Sequence, residues 1–325
     1  MKLNFVFRAH RLNSILVVLL LLLACIKNPV ENGKLPAENP YKLTRGGYPD
    51  WSPTGERLAF IRDNDLYLYY FDDKHIEKVT ENATEPSFSP DGKKIAFERE
   101  RKIYTIDLET KQERYLAEGI TPSWSENGKW IAFGHKDASR ILTDGTLVYG
   151  QPSLDSSLYY FDLKADNIVR VLVTNYDSLW IGTKLSMFHP EWAMGDSIIL
   201  FDSEIGIRKV RREGGKAVSF WLEFDKPHLP KSNRVLELAH SGQPNWSPVK
   251  RWMIYFSLMD LRPYGGVFKE YATSDLHGHG GPIQTDGDSS DPCWSPDYHV
   301  IAYVSGGWIW VRDISFHFEQ PWKEE

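Results

Sequence analysis

The sequence predicts an all-β fold, a six-bladed β-propeller whose last blade is closed by an N-terminal strand. Three observations carry this. One short phrase recurs six times along the chain. Strand-like runs follow each copy. Aromatic residues reach 14%, with 12 Trp, 16 Tyr and 16 Phe, which favours strands, and no long stretch of helix formers repeats with a helical period.

The phrase reads YPDWSPTGERLAF from Tyr48, EPSFSPDGKKIAF from Glu85, TPSWSENGKWIAF from Thr121, HPEWAMGDSIILF from His189, QPNWSPVKRWMIYF from Gln243 and DPCWSPDYHVIAY from Asp291. Its key aromatics are Trp51, Phe88, Trp124, Trp192, Trp246 and Trp294, spaced 37, 36, 68, 54 and 48 residues apart. The short spacings give the bare unit and the longer ones contain insertions. The proline ahead of the aromatic suits a strand start or inner edge, where a missing N–H costs no ladder bond. Ser-Pro-Asp-Gly is turn chemistry: proline presets φ, aspartate caps the local backbone and glycine takes positive φ. The Ile-Ala-Phe run is apolar at consecutive positions, so both faces of that strand are buried.

Two further strands follow in each unit: 66–72 and 75–80 in the first, 102–108 and 113–119 in the second, 158–163 and 168–174 in the third. Four antiparallel strands buried on both faces make a propeller blade. The sixth unit offers only 299–306 and 308–315 after its phrase. Residues 41–47 read like 76–82 and are expected to supply its missing outer strand, which leaves no open gap in the ring.

The phrases WSPTGERLAF, FSPDGKKIAF and WSENGKWIAF resemble the WD40-like repeats of TolB-type propellers, and the resemblance covers residues 41–315. The fourth unit departs from it with AMGDS, and the fifth and sixth lose the turn glycine. TolB-type proteins carry an α/β domain before the propeller. Only residues 26–40 stand in that place here, so that domain's partner-binding role is not carried over.

Lys2, Arg8 and Arg11 precede an apolar run, Ile15 to Leu23, that ends in LLAC. This has the n-region and h-region of a secretory signal. LLAC resembles the lipobox of bacterial lipoproteins, which implies cleavage after residue 24 and lipidation of Cys25. The expected organisation is a lipoprotein signal peptide over 1–24, a tether over 25–40, the propeller over 41–315 and a tail over 316–325. Cys293 is then left unpaired and no disulfide is expected. A net charge of −6 and a pI near 6.0 argue against a nucleic-acid partner.

Strands a to d of a blade, counted from the axis, place the a–b and c–d turns on one face and the b–c and d–a loops on the other. The insertions 135–156 (b–c), 175–188 (d–a) and 257–266 (b–c) decorate one face, which reads as a binding face. Tyr149, Trp180, Phe188 and Tyr264 are its candidate partner contacts. With the chain entering from the other side, this face points away from the membrane.

The residue before each motif proline forms a ring at the channel mouth: Tyr48, Glu85, Thr121, His189, Gln243 and Asp291. Glu85, His189 and Asp291 come from alternate blades and are weak candidates for a metal or basic-group site; a solvated polar funnel is the plainer reading. Neither the HGHGG stretch at 277–281 nor Asp286 and Asp288 completes a metal motif. The Gly-x-Ser-x-Gly of a following hydrolase domain is absent from the sequence.

The expected function is a membrane-tethered scaffold of the bacterial cell envelope, periplasm-facing or at the outer membrane, that binds protein or peptide without catalysis or cofactor. The alternative is a propeller enzyme, a glycan lyase or hydrolase, with a metal in the funnel. Oligomeric state is not legible.

Overall fold

A computed structural model describes residues 40–135, 140–141, 147–148, 157–174, 187–203, 207–219, 241–247, 252–258, 269–274, 282–283, 289–297 and 299–313. Cys25, Tyr149, Trp180 and Tyr264 lie outside these residues, as do the signal, tether and tail segments. Phe188 is described for its backbone only.

Among the described residues every regular element is a strand. Five sheets have four strands, one has five, and a two-stranded ribbon joins Arg140–Ile141 to Leu147–Val148. Each copy of the phrase begins one of the six larger sheets, on the strands Gly47–Trp51, Thr84–Phe88, Ile120–Trp124, Phe188–Ala193, Ser241–Ser247 and Ser289–Trp294. Each of these first strands touches the next, and Ser289–Trp294 touches Gly47–Trp51, so they surround one axis. This is a β-propeller.

Burial follows the pattern of the phrase. Leu58, Ala59 and Phe60, like Ile95, Ala96 and Phe97, are fully buried on consecutive positions of a second strand. The second strands Arg57–Arg62, Lys94–Arg99, Trp130–Gly134, Ile198–Asp202 and Val300–Ser305 are therefore packed on both faces, and the apolar clusters lie between blades. One joins Tyr41, Trp51, Phe60 and Phe71 to Val300, Val304 and Val311. Another joins Val171 and Val173 to Trp192, Ile199 and Phe201.

The strand Tyr41–Arg45 pairs antiparallel with Trp308–Asp313, Tyr41 opposite Val311 and Arg45 opposite Trp308. It is the outer strand of the sheet that the last phrase begins. Tyr41 is 7% exposed in the cluster named above, while Lys42 is exposed, 4.1 Å from the Trp308 ring centre.

The turn chemistry holds where the glycine is present. Gly55, Gly92 and Gly128 take φ of 71°, 67° and 70°. The fourth unit solves its turn differently. Met194, Gly195 and Asp196 all have positive φ, and Asp196 receives the N–H groups of Glu126 and Asn127 from the neighbouring blade at 2.8 and 3.0 Å. Its departure from the motif thus adds a clamp between blades. The third sheet gains its fifth strand from Gly215–Lys216, parallel to Val173 and Thr174. Gly214, at φ 90°, permits this approach, because a Cβ there would lie 2.7 Å from the Leu172 carbonyl oxygen.

Tyr41→Ala should destabilise the fold by about 3–5 kcal/mol, the usual cost of removing a buried aromatic. Lys42→Ala, on the exposed side of the same strand, should cost about 1 kcal/mol or less. Denaturant titration compares the two, and equal costs would show that this strand does not complete a packed blade.

Candidate functional site

The prolines lie inside the innermost strands; of the two placements that the sequence allowed, a strand start or an inner edge, they do not take the strand start. The reason is a β-bulge that occurs in all six. In the first sheet Gly47 pairs with Ile61 and Asp50 with Ala59, so Tyr48 and Pro49 together oppose Phe60. The same register shift recurs at Thr84/Ser87, Ile120/Ser123, Phe188/Glu191, Gly242/Asn245 and Ser290/Cys293. A bulge leaves one residue out of the ladder, so the missing proline N–H costs nothing there.

The residue before each proline takes positive φ: 51° at Tyr48, 51° at Glu85, 51° at Thr121, 45° at His189, 52° at Gln243 and 50° at Asp291. For non-glycine residues this is a strained conformation, costing of order 1–3 kcal/mol each. It is held by hydrogen bonds across blade boundaries. The His189 N–H donates to Thr121 Oγ1 at 3.0 Å, and the Asp291 N–H to Gln243 Oε1 at 2.9 Å. Gln243 N–H donates to Asp202 at 2.7 Å and Thr121 N–H to Glu98 Oε2 at 3.3 Å. The Tyr48 N–H donates to the Asp291 carboxylate.

A second belt runs through the residue after the proline, a position that the sequence reading passed over. Its side chain accepts the backbone N–H of the key aromatic in the next blade. Asp50 accepts from Phe88 at 2.7 Å, Ser87 from Trp124 at 3.1 Å, Glu191 from Trp246 at 3.0 Å and Asn245 from Trp294 at 3.0 Å. The Cys293 thiol accepts from Trp51. Ser123 donates instead to Glu191, at 3.0 Å, and its carbonyl takes the Trp192 indole N–H. Asp, Ser, Ser, Glu, Asn and Cys share only acceptor capacity, and that was the available signal.

The six prolines and the residues on either side of them line one axial cavity of about 110 Å³. All six pre-proline residues expected at the channel mouth therefore meet there. The funnel is less open to solvent than expected: Thr121, Gln243 and Asp291 are 3%, 6% and 8% exposed, because the bulges draw the side chains into the seams. Of the three alternate-blade residues, two pair. His189 Nε2 lies 3.4 Å from Glu85 Oε1, and its Nδ1 is 2.9 Å from Asp202 Oδ2. Asp291 is bonded to the Gln243 amide and to the Ser290 hydroxyl. Asp202, on a second strand, had no signal in the phrase. Among the described residues no group of three or more His, Cys, Asp or Glu is arranged to hold a metal ion.

Burial sets the protonation of this site. It works against a charged His189, yet Glu85 and Asp202 outweigh it and hold the imidazole pKa up at about 10. Burial pushes Asp50 up to about 7 and Glu191 up to about 8. Burial, then the Glu85 charge, raises Asp291 to about 7, and burial also raises Asp202. Cys293 is free and buried, its thiol pushed well up by burial and then by Asp50. The site is an acid-rich axis with one buried imidazolium, suited to recognising a cationic or hydrogen-bonding group.

A family model described as "Dipeptidyl peptidase IV (DPP IV) N-terminal region" matches residues 30–86. No curated protein matches the sequence. The structure is similar to that of putative TolB from Agrobacterium tumefaciens, at 18% identity and a TM-score of 0.54, covering 84% of this chain and 91% of that one. Similarity to TolB from Acinetobacter baumannii is 18% identity with a TM-score of 0.50, over 85% of this chain but 65% of that one. Oligogalacturonate lyase from Vibrio parahaemolyticus is similar at 14% identity and a TM-score of 0.50, over 86% of this chain and 92% of that one. At these identities the likeness establishes the propeller fold.

The raised carboxylates make stability depend on pH in one direction. Their folded pKa values exceed the ordinary ones, so their contribution is complete below pH about 4 and is lost as pH rises through about 7 to 8. His189 acts in the same sense, its contribution being lost between its ordinary 6.5 and about 10. The thermal midpoint should therefore fall between pH 5 and pH 8. Asp50→Asn keeps an acceptor for Phe88 and removes the buried charge. It should raise the midpoint more at pH 8 than at pH 5, by about 2–4 °C or more; a variant equally altered at both pH values would contradict the assignment.

Proposed function

We propose that this protein is a six-bladed propeller, closed by the 41–45 strand and tethered by lipid at Cys25 in the bacterial cell envelope, that binds a protein or peptide over its decorated mouth without catalysis. One observation supports this above the others: the described residues from which three insertions depart lie beside the acid-rich cavity. Ile120 pairs with Gly134, so the 135–156 insertion leaves its blade beside Thr121. Gly242 pairs with Phe256, so the insertion after Leu258 leaves beside Gln243. The insertion ending at Met187 runs directly into Phe188 and His189.

Loops of that length on one end of a rigid ring are the usual place for recognition. Tyr149, Trp180, Phe188 and Tyr264 are the proposed contacts above the ring of Tyr48, Glu85, Thr121, His189, Gln243 and Asp291. The likeness to two TolB structures supports a propeller scaffold, and the LLAC segment supports the tether. The lyase likeness keeps a propeller enzyme as the competing reading.

Envelope cross-linking and pull-down of the full-length protein tests the proposal. Replacing residues 135–156 by a short turn should remove the partner recovered with the wild type. An unchanged partner set would contradict the proposed binding face. Stoichiometric metal in the purified protein, lost on Glu85→Ala and His189→Ala, would favour the enzyme instead.

A further inference from the structure

At three junctions between blades one contact recurs on the face opposite the axial cavity, and the second junction leaves it unmade. The residue six places after each key aromatic opens the second strand of its blade, and at these three junctions it packs toward the key aromatic of the next blade. At the first junction this is Arg57. Its Nη2 donates to the Gly92 carbonyl at 2.9 Å, and its guanidinium carbon lies 5.6 Å from the Phe88 ring centre. At the third junction it is Trp130, stacked on Trp192 with ring centres 5.7 Å apart. At the last it is Val300, in the same buried cluster as Trp51.

At the second junction the residue is Lys94. Its ammonium stays over its own blade, 3.9 Å from Asp107 Oδ2, with the side chain 49% exposed. Beside Trp124 this leaves a groove of about 740 Å³, walled by the turns at 89–91, 107–112 and 126–128. The size is that of a ligand site. Acids outnumber bases in its lining: Asp91, Asp107, Glu113 and Glu126 against Lys94 and Arg114. Arg114 is already paired with Asp166 and Glu113 with Arg99, which leaves three carboxylates facing one exposed lysine.

We infer that this groove takes the guanidinium of an arginine side chain from a protein partner, seated over Trp124 as Arg57 is seated over Phe88. The Gly128 carbonyl stands where Gly92 stands in the first junction and would accept the same hydrogen bond. Indole is the best aromatic face for a cation. The planar fork of arginine can stack and donate sideways at once, which an ammonium cannot. The acid surplus selects charge. The groove opens among the a–b and c–d turns, away from the decorated mouth, and its occupancy does not rest on what binds there.

The test uses the pseudo-symmetry of the blades. The peptide acetyl-Gly-Arg-Gly-amide is titrated against the protein, followed by its tryptophan indole resonances, with Trp124 assigned from Trp124→Phe. The Trp124 resonance should shift saturably, and the citrulline and lysine versions should bind at least tenfold more weakly. Lys94→Arg, which supplies the chain's own guanidinium, should weaken binding at least tenfold without lowering the thermal midpoint. Lys94→Ala should bind as well as wild type or more tightly. No saturable shift at Trp124, equal binding of the citrulline peptide, or wild-type affinity in Lys94→Arg would each overturn the inference.

Discussion

The structure depends on one repeated constraint, a bulge at the proline of each first strand. The bulge opens the ladder at the proline, which has no N–H to lose. It also rotates the preceding residue into positive φ, six times over. The freed donors and acceptors then face the neighbouring blade, where the post-proline side chain receives the key aromatic's N–H. Apolar packing between blades is strong but non-directional. These bonds are directional, and they fix the height and angle at which each blade meets the next.

The same constraint creates the axis. Six bulges bring eighteen residues round one small cavity and bury carboxylates there that would otherwise be solvated. Asp50 and Glu191 serve the seam and are charged at a cost, which is why burial raises their pKa values. His189 offsets part of the acid by lying between Glu85 and Asp202. The same residues therefore hold the seams and line the axial cavity. On the other face the junctions are plugged side by side by Arg57 and Trp130, and the difference at Lys94 is a local one, free to change without disturbing the seam.

The strands were legible wherever burial and turn chemistry agreed. Leu58 to Phe60 and Ile95 to Phe97 announced two-sided burial, and Gly55, Gly92 and Gly128 announced the turns. The pairing partner of Tyr41–Arg45 was legible because that segment repeats the character of an outer strand and the last unit lacked one. The bulge was not legible. Proline before a key aromatic fits a strand start as well as a bulge, and only the register separates them. The pre-proline ring followed from position alone. Its electrostatics did not, because Asp202 and Glu98 reach the axis from second strands, where the phrase shows no polar signature.

The claim that the seams hold the ring is tested most directly by native-state hydrogen exchange at the backbone amides of Trp51, Phe88, Trp124, Trp246 and Trp294. If each is bonded to the preceding blade, all five should exchange only through global unfolding, with one common free energy equal to that from denaturant titration. Exchange of any of them through a cheaper opening, with blades separating while the rest of the ring stays protected, would contradict the account.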